Sequence, residues 1–558
     1  MQLNLHNLFK ITLFLFAAIG MHIATFTTGS YGLFLTFNMI SWVFVSLLIA
    51  YGFRQLAKSK KIRTTDFLKY VLAGFLLLLI PLLYSNSSTF DFLPTFFGLC
   101  AGVLLLFSLY QFDFSKEEKN QIMFILLLAI GIEATLGLLQ FYVFNYIDFN
   151  MSGYALLNDR PSGVFRQPNL MASFMATGIS LSLYLIYQNK NTSIKKIYTT
   201  FSYYCLFACI VTLVLLQSKV GYLAAVISLL FSILIIKNNI KHFKKAMATV
   251  SLSLLIGILS VSFIQSLDRG EKLYSDEGVR FDIMKVSFNL FSDNLITGVG
   301  YGKFERQYLI AHREQMKKDE TLKEPIANLR HPHNEVIMWG VEGGIVPILG
   351  LLVILFGFIV GFNKKFTAFN LFKLAIIFPI SLHCLTELPF YLSTPHFIFF
   401  IIFLWLINES VVEVKEKNIK SFLLANTASL AIPLITIPFM VTGIHTSILM
   451  ANFYKSGYKE PELIGKIKNE FVWFDYIAHL KQEIKLEAAI KSNDIDGMIN
   501  YVSWVNEYLK LHPNEQLYLK VLNVISVLET KGVSFDKEFV QKFKAEAKVL
   551  FPVNNNFN

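Results

Sequence analysis

The sequence predicts an all-α protein that crosses a membrane many times. Of its 558 residues 54% are hydrophobic and only 16% are charged, and the mean hydropathy is +0.51. Soluble globular proteins carry about 25% charged residues, so a water-soluble enzyme is excluded. The same composition excludes a disordered chain, and the four cysteines lie inside apolar runs, where neither a disulfide framework nor a zinc site is expected.

Thirteen apolar runs predict the membrane-spanning helices. A helix needs about 20 apolar residues to cross the hydrocarbon core, and three of the runs are short, so we expect about 13 spans within a range of 11 to 14. The predicted spans are 8–28, 31–50, 67–84, 92–110, 122–145, 164–187, 201–216, 220–236, 247–267, 335–361, 371–390, 396–408 and 421–444.

The distribution of lysine and arginine predicts the orientation, because basic residues concentrate in cytoplasmic loops. One alternating set of loops, beginning with 51–66, holds nineteen Lys and Arg, whereas the opposite set holds only Arg160 and Lys219. The N-terminus is therefore predicted to be cytoplasmic, and the long loop 268–334 and the tail 445–558 to lie outside. The net charge of +11 resides mainly in these short loops and does not indicate nucleic-acid binding.

The tail is predicted to be a small external helical domain. It carries fourteen Lys against fourteen Asp and Glu, and the segment from Trp504 to Leu528 has helical periodicity, similar to a helix-pair repeat of the tetratricopeptide kind. Asp494-Ile-Asp496 has the D-x-D spacing of metal-dependent glycosyltransferases, but a polar helix start is the better interpretation. We divide the chain into a transmembrane domain, 1–444, which contains the outer loop, and a helical domain, 445–558.

Several polar groups stand where an outer loop enters the sixth span: Arg160, Arg166, Gln167 and Asn169. Guanidinium groups pair bidentately with phosphate oxygens, so this segment is a candidate phosphate site. The alternative is an interfacial turn in which Pro168 begins a helix and Asn169 helps to cap it.

The long outer loop contains Arg280 and the glycine pattern Gly298-Val-Gly300-Tyr-Gly302. Without a preceding strand this pattern does not indicate a dinucleotide site; it predicts a tight turn. Arg280 is a further candidate for binding an anion, and an ordinary exposed arginine is the alternative.

Two histidines, His331 and His333, lie just before the tenth predicted span and precede Asn334. No third ligand is spaced to complete a metal set, so neither a metal nor another cofactor is predicted. A neutral imidazole is suited to general-base catalysis. Because Pro332 favours an extended backbone, the two rings are expected to point to opposite sides, which leaves one of them to act; we favour His333.

Glu387 and Tyr391 end the eleventh predicted span on the outer side. An ionisable group at the membrane boundary suggests function with a nearby cation, for which Arg160 and Arg280 are candidates. The candidate groups are the segment 160–169, Arg280 with the glycine pattern, the segment 331–334, and Glu387 with Tyr391. All four lie at the predicted outer face. Phosphate-binding arginines together with a base and an acid suit transfer from a lipid-pyrophosphate donor.

These motifs resemble the O-antigen ligase and polymerase superfamily, in particular the bacterial protein O-oligosaccharyltransferases of the PglL type. The resemblance covers residues 150–445 and the helical tail, and it is carried by 160–169, 298–304, 331–334 with Glu342-Gly343, and 387–391. Two departures are notable. Arg166 stands where the family commonly has Gly before Gln-Pro-Asn, and Lys219 stands where a Ser-Arg turn is usual.

The resemblance implies that an oligosaccharide is transferred en bloc from undecaprenyl pyrophosphate to Ser or Thr hydroxyls of exported proteins such as pilin, at the periplasmic face of the bacterial inner membrane. It implies a lipid-linked glycan, an acceptor protein and the bilayer as partners, without a cofactor or nucleic acid. The implied catalytic residues are His333 as base, with His331 as the alternative, Arg280 on the leaving group, and Gln167. The implied substrate-binding residues are Arg160, Arg166, Asn169, Lys219, Asn334, Glu387 and Tyr391.

Three alternatives remain open. Two of them lie within the superfamily: an O-antigen ligase, whose acceptor is lipid A core, and an O-antigen polymerase, whose acceptor is the growing glycan. Outside it, a transporter or flippase is also polytopic, but such a protein is expected to have repeated halves and ionisable groups near the bilayer midplane, and the sequence has no evident internal repeat.

Reporter fusions test the predicted orientation. A reporter that is active only outside the cytoplasm is expected to work when it is fused at Ser275, in the outer loop, and to stay silent at Lys58, in a cytoplasmic loop. Activity of the same reporter at Lys58 contradicts the orientation.

Overall fold

The computed structural model is built almost entirely of helices. It describes residues 4–27, 29, 31–147, 153–154, 160–188, 193–236, 240–263, 270–326, 328–363, 368–410, 412–419, 422–554 and 557. The predicted outer loop begins at 268, and its first two residues lie outside the described ranges.

The helices follow one another along the described chain with short connections. The first eleven are α1 (Leu5–Ala18), α2 (Thr36–Ser59), α3 (Asp66–Leu79), α4 (Thr89–Tyr110), α5 (Lys116–Tyr142), α6 (Pro168–Gln188), α7 (Ser193–Leu216), α8 (Lys219–Ile236), α9 (Ile240–Phe263), α10 (Gly270–Asp293) and α11 (Phe304–Met316). The remainder are α12 (Glu335–Gly343), α13 (Ile345–Asn363), α14 (Ala368–His383), α15 (Pro389–Leu392), α16 (Thr394–Asn408), α17 (Leu423–Lys455), α18 (Glu462–Gly465), α19 (Phe474–Ser492), α20 (Ile495–Leu509), α21 (Glu515–Thr530) and α22 (Lys537–Leu550).

A two-stranded antiparallel sheet was not predicted from the sequence. Strands β1 (Lys61–Thr64) and β2 (Lys415–Asn418) pair with Lys61 opposite Asn418. Five of their eight residues are charged, and Glu416, the acidic residue of the pair, forms ion pairs with Lys61 at 3.1 Å and with Arg63 at 3.5 Å. These strands join two loops that the sequence places on the same side of the membrane.

The all-α polytopic fold class is confirmed. Ten of the described helical segments are long and apolar enough to cross a membrane: Leu5–His22, Thr36–Ser59, Asp66–Leu83, Phe90–Tyr110, Lys116–Tyr142, Pro168–Gln188, Lys196–Leu216, His242–Ser262, Ile345–Phe362 and Leu423–Lys455. Three shorter apolar helices, Lys219–Ile233, Asn370–His383 and Thr394–Asn408, fall on the other predicted spans. The number of crossings and the orientation stay predictions.

The predicted span 335–361 is wrong in its bounds, because two helices occupy it. Helix α12 ends at Gly343 and α13 begins at Ile345. Gly344 between them has φ +72°, and a Cβ there would overlap the Ile296 carbonyl oxygen. Only glycine satisfies both requirements, so the apolar run is interrupted at Gly344, two residues after the charged Glu342.

The described chain divides into two compact units. The first comprises Met1–Phe75, Phe97–Arg269 and Leu352–Val472, and the second comprises Leu76–Phe96, Gly270–Leu351 and Trp473–Asn558. The predicted boundary at 444/445 falls inside α17, which is continuous from Leu423 to Lys455. The division into a transmembrane and a periplasmic domain stays a prediction.

Helix α6 is the centre of the first unit. In its apolar window 94% of the residues are buried, and α5, α7, α8 and α14 pack around it. Small residues such as Ala172, Ser173 and Gly178 let these neighbours approach closely. The start of α6, which follows the segment 160–167, is therefore held in a fixed position.

In the second unit, α11 of the outer loop packs with the tail helices. Leu309 of α11 lies in the same buried apolar cluster as residues of α19 to α22. Arg306 donates to the Leu509 carbonyl at 2.9 Å, and Arg313 Nε donates to the Leu550 carbonyl at 2.9 Å. Both arginines satisfy the last carbonyls of a helix, where a positive charge is favourable.

The helical prediction for the tail is confirmed. Helices α20 and α21 cover the periodic segment from Trp504 to Leu528 and pack against each other. Asp494 is the N-cap of α20, and its side chain accepts a hydrogen bond from Gly497 N at 3.0 Å. The D-x-D sequence is therefore the polar helix start that we favoured.

Glu483 of α19 joins three elements of the tail. Its carboxylate accepts from Tyr501 Oη at 2.6 Å, forms an ion pair with Lys520, and lies 3.4 Å from His479 Nε2. Partial burial opposes ionisation, yet the hydrogen bonds from His479, Lys520 and Tyr501 outweigh it and lower the pKa of Glu483 from 4.5 to about 2. The charged form is thus favoured in the folded tail.

We expect the tail to lose stability in acid through Glu483. Because the pKa is lower in the folded state, its stabilisation is complete above about pH 4.5 and is lost as the pH falls towards 2. Between pH 6 and pH 3, amide-exchange protection of α19 and α20 should fall about tenfold more in the wild type than in Glu483→Gln, with screening at this partly exposed site taken into account. Glu487→Gln, an exposed change on the same helix, is the control; an equal fall in Glu483→Gln contradicts this role.

Candidate functional site

The segment 160–169 enters α6 through a tight turn. Gly163–Phe165 form a single 3-10 turn, Arg166 has a left-handed backbone with φ +55°, and Pro168 is the first residue of α6. Proline is favoured at that position because it lacks a backbone N–H, and an N–H in the first turn of a helix has no partner within the helix. The expected helix start at Pro168 is confirmed, while Asn169 lies inside the first turn.

Two buried polar residues of α5 hold the backbone of this segment. The side-chain oxygen of Gln140 accepts from the N–H groups of Ser162 and Gly163 at 3.0 and 2.8 Å. One carboxylate oxygen of Glu133 accepts from Val164 N at 3.1 Å, and the other lies 2.6 Å from His22 Nδ1. A turn inside a helix bundle lacks the regular backbone partners of a helix, and these side chains supply hydrogen-bond acceptors in their place.

Arg166 explains one departure from the family pattern. A left-handed backbone costs a non-glycine residue about 1–2 kcal/mol, which accounts for the glycine that is usual there. In this chain the guanidinium group donates to the Thr27 carbonyl, so a side-chain contact offsets part of the strain. The position is therefore one at which the backbone favours glycine.

Arg160 and Asn169 connect the segment to the turn between α7 and α8. Arg160 is 8% exposed and donates to the Leu216 carbonyl at 3.1 Å. Asn169 accepts from Ser218 Oγ at 3.0 Å, and the exposed Lys219 follows directly. The structure thus brings Arg160 and Asn169 close to the turn that contains Ser218.

Gln167 contacts Glu387. Gln167 Nε2 donates to a carboxylate oxygen of Glu387 at 3.3 Å, and Glu387 is 1% exposed. The other side-chain atom, Gln167 Oε1, is buried and has no hydrogen-bond partner. A buried acceptor of this kind can take a hydrogen bond from a donor on a bound molecule. Tyr391, in the short α15, is 41% exposed.

The remaining candidates belong to the second unit. Arg280 lies in the middle of α10 and is half-buried. Asn334 is the N-cap of α12, and its side chain accepts from Ile337 N at 3.0 Å. This cap fixes the residue that follows His333.

The expected divergence of the two histidine rings is wrong. The rings of His331 and His333 meet edge to face, with centroids 4.5 Å apart, and His333 N donates to His331 Nδ1 at 3.3 Å. The reason is the backbone of His333, whose φ is +55°. A residue with a left-handed backbone interrupts the alternation of side chains that an extended strand has, so both rings lie on the same side of the chain.

The glycine pattern of the outer loop is the tight turn that we expected. Gly298, Gly300 and Gly302 all have positive φ, and Gly300 N donates to the Glu342 carbonyl at 2.9 Å. The Glu342 carboxylate accepts from Gly302 N and Phe304 N at 3.1 and 3.2 Å. Glu342, a residue of the shared motif, therefore fixes this turn against α12.

A buried hydroxyl–imidazole network was missed from the sequence. Ser173 Oγ lies 2.8 Å from His383 Nδ1 and 3.3 Å from His396 Nε2. The His383 carbonyl in turn accepts from Glu387 N at 2.9 Å. The network therefore fixes the end of α14 from which Glu387 follows. Glu133, His383 and His396 all lie within predicted spans, and that unusual location is the signal that could have found them.

Comparison with protein-family models gives three matches. The model for O-antigen ligase matches residues 204–355, the model for the C-terminal part of a virulence-factor membrane-bound polymerase matches 371–555, and the model for a protein glycosylation ligase matches 161–186. The first range contains Lys219, Arg280, His331, His333 and Asn334. The second contains Glu387 and Tyr391, and the third contains Arg166, Gln167 and Asn169. A search of curated proteins gives no match.

The left-handed backbone of Arg166 can be tested by substitution. Arg166→Gly and Arg166→Ala both lose the contact with Thr27, but only glycine adopts this backbone without strain. We expect the glycine variant to be more stable than the alanine variant by about 1 kcal/mol, measured by thermal unfolding in detergent. At Glu117, exposed in the first turn of α5, the order should reverse; an alanine variant at 166 that equals or exceeds glycine contradicts the assignment.

Proposed function

We propose that this chain, which belongs to the O-antigen ligase and polymerase superfamily, is an O-oligosaccharyltransferase of proteins. It takes a preassembled oligosaccharide from undecaprenyl pyrophosphate and transfers it en bloc to Ser or Thr hydroxyls of exported proteins such as pilin. The reaction takes place at the periplasmic face of the inner membrane. The observation that carries the proposal is the match to a protein glycosylation ligase over 161–186, because it falls on the segment that contains Arg166, Gln167 and Asn169.

The reaction requires a base, an anion-binding group and an orienting group. The acceptor oxygen forms a bond to the first sugar carbon, the bond from that carbon to the pyrophosphate oxygen breaks, and the acceptor proton passes to a base. Arg280 and Arg160 stabilise the charge that develops on the leaving pyrophosphate. Gln167 Oε1, a buried acceptor without a partner, is suited to holding a hydroxyl of the sugar or of the acceptor.

The contact between the two histidines supports His333 as the base. His331 Nδ1 accepts from the backbone N–H of His333, so this contact fixes the turn and the tautomer of His331, whose proton is then on Nε2. His333 is anchored on its other side by the cap at Asn334. We therefore assign proton transfer to His333 and positioning to His331.

Glycan polymerisation is the second candidate function. The match to the C-terminal part of a membrane-bound polymerase extends over 371–555 and includes the tail helices. In that case the acceptor is a sugar hydroxyl of a growing glycan, and the same base and arginines serve the same steps. The two functions differ only in the acceptor, so the product distinguishes them.

Intact mass spectrometry of exported proteins tests both the function and the base. A host with the wild-type gene should carry an O-linked glycan on pilin or other exported proteins, and a host without the gene should lack it. Loss of a general base costs about 10²–10⁴ in rate, so His333→Ala should abolish glycosylation while the amount of membrane protein stays normal. His333→Asn is the companion variant, because asparagine tolerates the left-handed backbone but supplies no base.

Three outcomes contradict parts of the proposal. Normal turnover in both His333 variants with loss in His331→Ala reverses the assignment of the base. A change in lipid-linked glycan length, with unaltered exported proteins, favours the polymerase. A change in the sugars on lipid A core favours the ligase.

A further inference from the structure

Three residues of metal-binding type meet in the second unit, and none of them is assigned to the glycosyl transfer. Asp91 and Asp475 each present a carboxylate oxygen and His512 presents a ring nitrogen, and the three atoms lie within 4.8 Å of one another. Asp91 is in the first turn of α4, Asp475 is in the first turn of α19, and His512 follows α20. All three side chains are half-buried, so water has access to them.

Aromatic packing places the two aspartates side by side. Phe90 and Phe474, the residues immediately before Asp91 and Asp475, pack against each other with ring centroids 4.4 Å apart. The hydroxyl of Ser88 donates to one oxygen of Asp91 and restricts the rotation of that carboxylate. The two carboxylates are therefore brought together by contacts that do not require a bound ligand.

A hydrogen bond fixes the tautomer of His512. Its Nδ1 lies 2.8 Å from Glu305 Oε2, and an ionised carboxylate only accepts hydrogen bonds, so the ring proton is on Nδ1. The lone pair of the neutral imidazole is then on Nε2, the atom that is paired with Asp475. Histidines that bind metals usually donate their other N–H to a carboxylate or a carbonyl group in this way.

The distance between His512 and Asp475 suits a shared metal ion better than a hydrogen bond. Nε2 and Oδ2 are 3.7 Å apart, which is longer than the roughly 2.7–3.2 Å of an N–H···O hydrogen bond. Two ligand atoms that lie about 2.1 Å from a tetrahedral zinc ion are about 3.4 Å from each other. A movement of about 0.3 Å therefore brings this pair to the separation that zinc requires.

The charges around the three residues favour a divalent cation. Asp91, Asp475 and Glu305 carry three negative charges, and Arg330 carries one positive charge, 3.4 Å from Glu305 and 3.6 Å from Asp475. With a neutral His512 these five groups have a net charge of −2. A divalent cation compensates this charge, and Arg330 competes with it for Asp475.

We propose that Asp91, Asp475 and His512 bind a zinc ion, with water as the fourth ligand. Imidazole nitrogen suits zinc, whereas calcium and magnesium prefer oxygen ligands. The bound ion connects the start of α4 with the start of α19 and with the turn after α20, and so stabilises the attachment of the tail helices. No step of the glycosyl transfer uses this ion, and the inference does not rest on the proposed function.

The test uses the full-length protein, purified in detergent through a tag without histidines and freed of metal with EDTA. The chlorides of zinc, manganese and calcium are added separately, bound ions are counted by native mass spectrometry, and zinc affinity is measured by competition with a chromophoric chelator. The wild type should bind one zinc ion more tightly than either other metal. Zinc should also raise the unfolding temperature, because it binds the folded state, and EDTA should reverse the rise.

Four variants separate the ligands from their surroundings. Glu305→Gln leaves the ligands in place but weakens the orientation of His512, so zinc affinity should fall about 10- to 100-fold. Asp475→Asn and His512→Gln each alter a ligand and should cause a larger loss. Asp496→Asn, which changes an exposed acid of α20, is the matched control and should bind zinc like the wild type.

Four outcomes overturn the proposal. Equal zinc affinity in the wild type, Asp475→Asn and His512→Gln excludes the site. Zinc that is lost in His331→Ala but kept in His512→Gln is bound by the other histidine pair. Tighter binding of manganese or calcium rejects zinc as the ion. Absence of any bound ion in the wild type identifies His512 as an imidazolium between Glu305 and Asp475, and this measurement decides even if a variant fails to fold.

Discussion

The segment 160–169 of the first unit depends on its contact with the buried side chain of Glu133. Burying a carboxylate in a helix bundle costs several kcal/mol unless it is paired and hydrogen-bonded. Both oxygens of Glu133 have partners, because His22 contacts one of them and the backbone of Val164 donates to the other. The turn that carries Arg166 and Gln167 is thus attached to α5 through the Glu133 side chain, and loss of that side chain removes its hydrogen bond with Val164.

Hydropathy predicted most of the long apolar helices because lipid-facing helices need apolar residues over a fixed length. The break at Gly344 was not predictable, because glycine occurs commonly in membrane helices and only the nearby Ile296 carbonyl makes it obligatory there. The sheet of β1 and β2 was missed for a related reason. Five of its eight residues are charged, and each strand has only four residues, so the pairing depends on which loops the fold brings together.

Within the candidate site, the side chains that we propose to react stand out in the sequence more clearly than the residues that support them. Gln167 and His333 stand in short polar segments at helix starts, which are visible as interruptions of apolar runs. Gln140 and Ser173 are single polar residues inside such runs, and their partners come from other helices. The orientation of the histidine rings depended on one dihedral angle, that of His333, which no spacing reveals.

The attachment of α11 to the tail has a consequence for how the protein is made. Arg306 and Leu509 are 203 residues apart in the chain, and Arg313 and Leu550 are 237 apart. At a synthesis rate of roughly 5–20 residues per second, α11 leaves the ribosome about 10–50 s before the helices that cover it. During that interval Leu309 lacks its apolar neighbours from the tail. A newly made chain therefore passes through a stage in which the loop that contains α11 is fully synthesised but not yet packed against the tail. Ribosome pausing or premature termination near the end of the message therefore affects a helix encoded far upstream.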